Sequence, residues 1–102
     1  MKVKITKSPK ETKRLVAVFT STASEQAMGW PKTRTVHFGF EGGSAYPDHK
    51  NPVTKRNYLA RHIVNEDWDD FMSAGALSRW ILWNKTTIRE SIADFKRRFK
   101  LD

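Results

Sequence analysis

Asp48-His49, Asn57 and His62 are the residues whose types and order could carry out a reaction. A histidine can take a proton from water while neighbouring groups hold a divalent cation on a scissile phosphate, so this set points to metal-dependent cleavage of nucleic acid. The spacing argues against it. The segment from His49 to His62 is short, and Pro52 begins a helix where the intervening chain would need room to turn back. His62 then falls on a helix, where it packs or meets solvent, and His37 reads as a strand residue bonded to a neighbour.

Two further groups invite a chemical reading. The acid pairs Glu66/Asp67 and Asp69/Asp70 flank Trp68. A hard cation needs several convergent oxygens, and adjacent pairs around a tryptophan read more simply as a solvated linker. Gly39, Gly42 and Gly43 are followed by no Gly-Lys-Ser/Thr, so they form no phosphate loop; they suit turns that need a positive φ. No metal ligands, cofactor or catalytic residues are expected.

The basic residues carry more. The formal net charge is +8, and it is uneven: residues 1–40 hold eight Lys/Arg against two acids, residues 41–84 five against six, and residues 85–102 six against three. Excess positive charge on a small domain favours a polyanionic partner, through phosphate neutralisation and counterion release. Lys2 and Lys4 fall on one strand face, Lys13 and Arg14 at the start of a second strand, Lys32 and Arg34 at the start of a third, and Arg89, Lys96, Arg97 and Lys100 on the last helix. If that helix lies at the sheet edge, these ten form one patch; otherwise they are separate solvated faces. Contacts of this kind would be made to phosphates without regard to sequence. No helix presents the Asn, Gln and Arg that read base edges.

The elements that would position these residues follow from periodicity. Lys2–Thr6 alternates polar and apolar as a half-buried strand does, and Arg14–Ser21 (RLVAVFTS) reads as a more covered or central strand. The two pair as a hairpin. Thr22–Lys32 reads as a long loop insertion whose Met28 and Trp30 fold back, and Thr33–Phe40 as a third strand with Val36, Phe38 and Phe40 on one face. Asn51 caps a helix that starts at Pro52 and runs to about Val64, with Val53, Leu59, Ala60 and Ile63 inward. The acidic linker Asn65–Asp70 precedes the stretch Ala74–Trp83 (AGALSRWILW), and its carboxylates would suit that helix's positive end. This stretch is apolar nearly all round, hence a buried helix about which the chain is organised. Gly75 within it implies a neighbouring backbone close by, and Asn84 stops it. Thr87 and Glu90 have capping-box spacing, and Ile88, Ile92, Phe95 and Phe99 form the seam of a last, basic amphipathic helix.

The predicted fold is α+β: a three-stranded, mainly antiparallel sheet packed on three helices, βββααα in order, as a single domain over residues 1–102. With 38% hydrophobic residues and twelve aromatics, the chain can bury a core. The absence of cysteine removes disulfides, thiol catalysis and Cys-ligated zinc together. No apolar run approaches the roughly 20 residues of a membrane span, and the start MKVKITKSPK lacks the apolar core of a signal peptide. The expectation is a soluble intracellular protein with no membrane partner.

Taken together, TVHFGFEGGSAY (35–46), YLARH (58–62), NEDW (65–68), AGALSRWILWNK (74–85) and IADFKRRF (92–99) resemble an uncharacterised family of small basic proteins from large nucleocytoplasmic DNA viruses of the algal-virus and mimivirus type. The resemblance runs from Val3 to Leu101 in the family's order, although Thr22–Lys32 is longer here than the compact loop of that group. It implies a viral protein located in the infected host's nucleus or cytoplasmic virus factory, or in the virion, and it brings no catalytic residue. The expected function is non-enzymatic binding of nucleic acid, duplex DNA in the first place, as an accessory of packaging, replication or transcription. One alternative is a virion structural or minor capsid protein whose basic faces meet acidic viral proteins. The other is the nuclease above, whose Asp-His, Asn, His order loosely resembles that of HNH-type enzymes.

Overall fold

The computed structural model describes residues 1–102. Strands β1 (Lys2–Lys7), β2 (Lys13–Thr20) and β3 (Thr33–Phe40) form an antiparallel sheet in the order β1-β2-β3. The register pairs Val3 with Phe19 and Ala17 with Val36, so Val3, Ile5, Leu15, Ala17, Phe19, Val36 and Phe38 share one face. Against that face lies the stretch the sequence singles out. A short helix α4 (Ala74–Leu77) continues without a break into a π-helical turn (Ser78–Leu82), closed by a bond from Trp83 N to Ser78 O of 3.1 Å. Leu77 and Ile81 are fully buried there with Phe19, Phe38 and the Phe95 of the last helix, α5 (Ile88–Arg98). The α+β fold, the single antiparallel sheet and the buried central helix are as the sequence predicts.

The connections differ in instructive ways. The expected loop at 22–32 contains a helical turn, α1 (Ala23–Ala27), held by a capping box between Thr22 and Glu25. A second short helix, α2 (Tyr46–His49), precedes α3 (Pro52–His62). Asn51 caps α3 as predicted, accepting from Val53 N and Thr54 N, but the helix ends at His62 and rests on another face. Val53, Ala60 and Ile63 are exposed, whereas Lys55, Tyr58, Leu59 and His62 are half-buried. The reason is aromatic: the Tyr58 ring stacks on Trp83 at 4.1 Å and 8°, which outweighs three aliphatic side chains with nothing to pack against.

Other expectations are met in part. Phe40 keeps the register of Phe38, opposite Lys13, but is 76% exposed at the strand's end, one residue past Gly39 at φ +78°. Gly75 does mark a close approach, but the neighbour is the Glu66 side chain, whose Cδ lies 2.9 Å from where a Cβ would stand. Ser73 caps α4 by accepting from Ala76 N, and of the linker carboxylates Glu66 lies against its first turn, with Oε2 3.1 Å from where a Cβ on Gly75 would stand. Trp68 is an anchor as expected: its carbonyl accepts from Trp80 Nε1 at 2.8 Å. Met28 stays in solvent, while Trp30 folds back to within 6.0 Å of the Phe71 ring. On α5, Thr87 caps Glu90 N, and the Glu90 carboxylate takes the Thr87 hydroxyl instead of its backbone N–H. At the chain's last residues, Asp102 bonds Met1 and Val3 along the free edge of β1.

Candidate functional site

The three strands hold six Lys/Arg and not one carboxylate. Their outward face is left open by the helices: Lys2, Lys4, Thr6, Thr20, Thr33 and Thr35 are all exposed. Lys2, Thr20 and Thr33 lie in one cross-strand row, and Lys4, Val18 and Thr35 in the next. His37, further along, is tied to Ser8 Oγ at 2.7 Å, so it is a structural strand residue.

The ten cations singled out in the sequence fall into groups. Lys2, Lys4, Lys32 and Arg34 occupy one end of the sheet, and the bond from Val3 N to Asp102 O brings Lys100 to the same end. Lys96, one turn earlier on α5, leads toward it. Lys13 and Arg14 stand at the opposite end of β2, about 20 Å away at the rise of a strand. Arg14 is engaged there: it meets Asp48 through two nitrogens at 2.7 and 2.9 Å, which holds the Asp48 carboxyl below the usual range. Arg97 meets Asp94 at 3.3 Å, and Arg89 stands apart in the first turn of α5. One continuous patch of ten is not what the fold builds; five of them share an end.

Sequence reasoning passed over a second cationic group, at the end of the π turn. The Arg79 guanidinium lies 4.3 Å from the Trp80 ring and donates to Trp83 O at 2.8 Å, Arg98 lies 3.9 Å from the same ring, and Lys55 Nζ donates to Asn84 O at 2.6 Å. Burial lowers the pKa of Arg79 and of Lys55, and like charges nearby, Arg98 on Arg79 and Arg79 and Lys85 on Lys55, lower them further. Asp94, whose desolvation is outweighed by a 2.7 Å bond from Asn84 Nδ2 and by Arg98 and Arg97, stays charged among them. The signal was present: cations gather where a helix leaves its last carbonyls unpaired.

A cleft of about 360 Å³ opens between the end of β3, the turn at 41–45, α3 and α4. Phe38, Leu82 and Trp83 form its apolar wall; Lys13, Ser44, Tyr58, His62, Glu66 and Ser78 supply its polar groups. Trp83, Tyr58 and His62 make a continuous stack, with His62 at 4.0 Å from Tyr58. His62 Nδ1 and Glu66 Oε2 are 3.1 Å apart, and Trp68 Nε1 donates to Glu66 Oε1 at 3.1 Å, so the carboxylate is fixed from two sides. Burial, with Glu66 nearby, pushes the Tyr58 hydroxyl up to about 12.

The metal-dependent constellation is not assembled by this geometry. Asp48 faces Arg14. His49 accepts from Asn51 N and lies against Trp83, its Nε2 buried without a partner, while His62 pairs with Glu66 on the far side of Tyr58. No three His, Asp or Glu side chains are grouped to hold a metal ion. No helix is long and apolar enough to cross a membrane.

No curated protein and no solved structure matches the chain. A family model does match, over residues 3–62, a span that holds the sheet but for Lys2, the turn beside the cleft and α3. With more than half of its length covered, the chain belongs to DUF5754, a family of unknown function.

Proposed function

We propose that this protein binds nucleic acid through phosphate contacts, without sequence selection and without catalysis, as an accessory of packaging, replication or transcription in a large DNA virus. The observation that carries the reading is the open sheet face and its end: Lys2 and Lys4 with exposed threonines between, on strands that contain no carboxylate, and Lys32, Arg34 and Lys100 at the same end of the sheet. Such a surface attracts a phosphate backbone and offers hydroxyl donors to it, but it has no means of reading bases. The viral setting rests on the sequence resemblance described above.

Fluorescence anisotropy on a random-sequence duplex across a salt series tests this. Removing one cation from a phosphate should reduce the slope of log K against log salt by about 0.9. Changing Lys2, Lys4 and Lys100 to Ala should therefore flatten it by roughly 2–3. Changing Arg89, Lys96 and Arg97 to Ala should flatten it less, since Arg97 already faces Asp94. Absence of binding at low salt overturns the proposal. A second reading, a virion structural protein that meets acidic protein surfaces, is favoured by the exposed Phe40 and Trp30, because aromatics and Arg are enriched at protein interfaces.

A further inference from the structure

The cleft lies at the opposite end of β2 from the sheet-end cations, and a reading built on phosphate contacts alone gives it nothing to do. We propose that it takes one nucleoside-monophosphate unit, the chemistry shared by a free mononucleotide and by an unpaired nucleotide at a strand end. This deepens the nucleic-acid reading and rests on it.

Size is the first argument. About 360 Å³ lies within the range of small-molecule sites, and an apolar wall with a few converging polar groups is how such sites are built. The second is the character of those groups. Ser44, Ser78 and Tyr58 bring hydroxyls that no bond within the chain engages, and Lys13 meets no carboxylate. Tyr58 remains a neutral donor throughout the physiological range. Arg14 is neutralised by Asp48, and Glu66, the one carboxylate in the lining, is occupied by His62 and Trp68. A donor-rich cleft with a free ammonium at its mouth selects an anion that also bears hydroxyls.

The third argument picks out the flat part of the ligand. Trp83 and Tyr58 cannot offer their facing surfaces to a base, since they stack on each other at 4.1 Å. Phe40 can: it is 76% exposed at the rim, with Lys13 Nζ 5.5 Å from its ring centre. The two are cross-strand partners, so the sheet itself fixes an ammonium beside an aromatic face. A base on Phe40 would have Lys13 beside it for its phosphate, with Tyr58 and Ser78 lining the same cleft for its sugar.

The test compares a blunt duplex with the same duplex carrying a short 3′ overhang labelled with 2-aminopurine, using the full chain and the variants Phe40→Ala and Lys13→Met. Both residues lie at the surface or rim, so the fold should survive; far-UV circular dichroism checks it. Stacking on one aromatic is worth roughly tenfold in affinity. The overhang should therefore bind about tenfold tighter, with 2-aminopurine quenched, and Phe40→Ala should abolish both effects while leaving blunt-duplex affinity unchanged. Competition by free adenosine monophosphate assigns the site to mononucleotides; its failure, with the overhang preference intact, assigns it to strand ends. Equal affinity for both duplexes in wild type and Phe40→Ala overturns the cleft assignment and leaves the phosphate reading standing. Failure to bind either duplex or the mononucleotide overturns both.

Discussion

Gly39 shows how much one residue decides here. The alternation of Thr33–Phe40 correctly places Val36 and Phe38 toward the core, and it would place Phe40 there too. Phe40 keeps that register, opposite Lys13, yet it stands 76% exposed at the cleft rim, one residue past Gly39 at φ +78°. Periodicity cannot show this, because it gives the face a residue shares and not whether anything covers it there. A Cβ at Gly39 would stand 2.8 Å from Leu82 Cδ1 and 3.2 Å from Arg14 Cβ, whereas Gly42 at φ +82° has open space around it. Gly42→Ala should therefore cost about 1 kcal/mol of backbone strain, and Gly39→Ala that plus the clash, about 3 kcal/mol in all. Urea denaturation of the two variants separates strain from packing; equal losses would mean that Leu82 moves aside freely.

Among the elements, α3 is the one whose place was least legible. Its boundaries were readable from Asn51 and Pro52, but its buried face was not, because the apolar residues Val53, Ala60 and Ile63 suggested one side and the aromatic partner lay twenty-five residues on, in Trp83. Only the folded chain reveals that Tyr58 and His62 stack on that ring. Ile63→Lys should accordingly change stability by no more than about 0.5 kcal/mol, as for a surface substitution. Tyr58→Ala removes the middle ring of the stack and should cost about 3 kcal/mol. A large loss in Ile63→Lys, measured by the same urea transition, would restore the face that periodicity suggests. By contrast, β2 as the central strand, the buried stretch at 74–83 and the seam of α5 were all readable, because each is defined by its own local pattern.

At the scale of the molecule, the basic residues could be counted from the sequence but not grouped, since their grouping depends on which ends of the sheet and of α5 meet. The pairing of Asp102 with Met1 and Val3 sets that, and no local pattern announces it. Pairing of charges far apart in sequence also contributes to the acid stability. Asp48 bonds Arg14 and accepts from Ala45 N, and both favour its ionised form in the folded state. Between its folded pKa and the ordinary value near 3.9, the unfolded chain holds more protons, so stability rises with pH in that window and is lost as pH falls through it. The Asp48 side chain is 42% exposed, which limits the contribution to about 1 kcal/mol or less. Asp48→Asn should be less stable at neutral pH and flatter in its acid profile below about pH 4, read as the urea midpoint against pH; an unchanged profile would mean that the pair contributes nothing. The π turn at Ser78–Leu82 bears on the molecule in another way, as a place where its length can vary. Five residues there do what an α turn does with about four, so a chain shorter by one residue at this point can run as unbroken α-helix and still deliver Trp83 to Tyr58. A deletion within Ile88–Arg98 has no such slack: it would swing every later side chain by about 100° and turn the Phe95 and Phe99 seam out of the core.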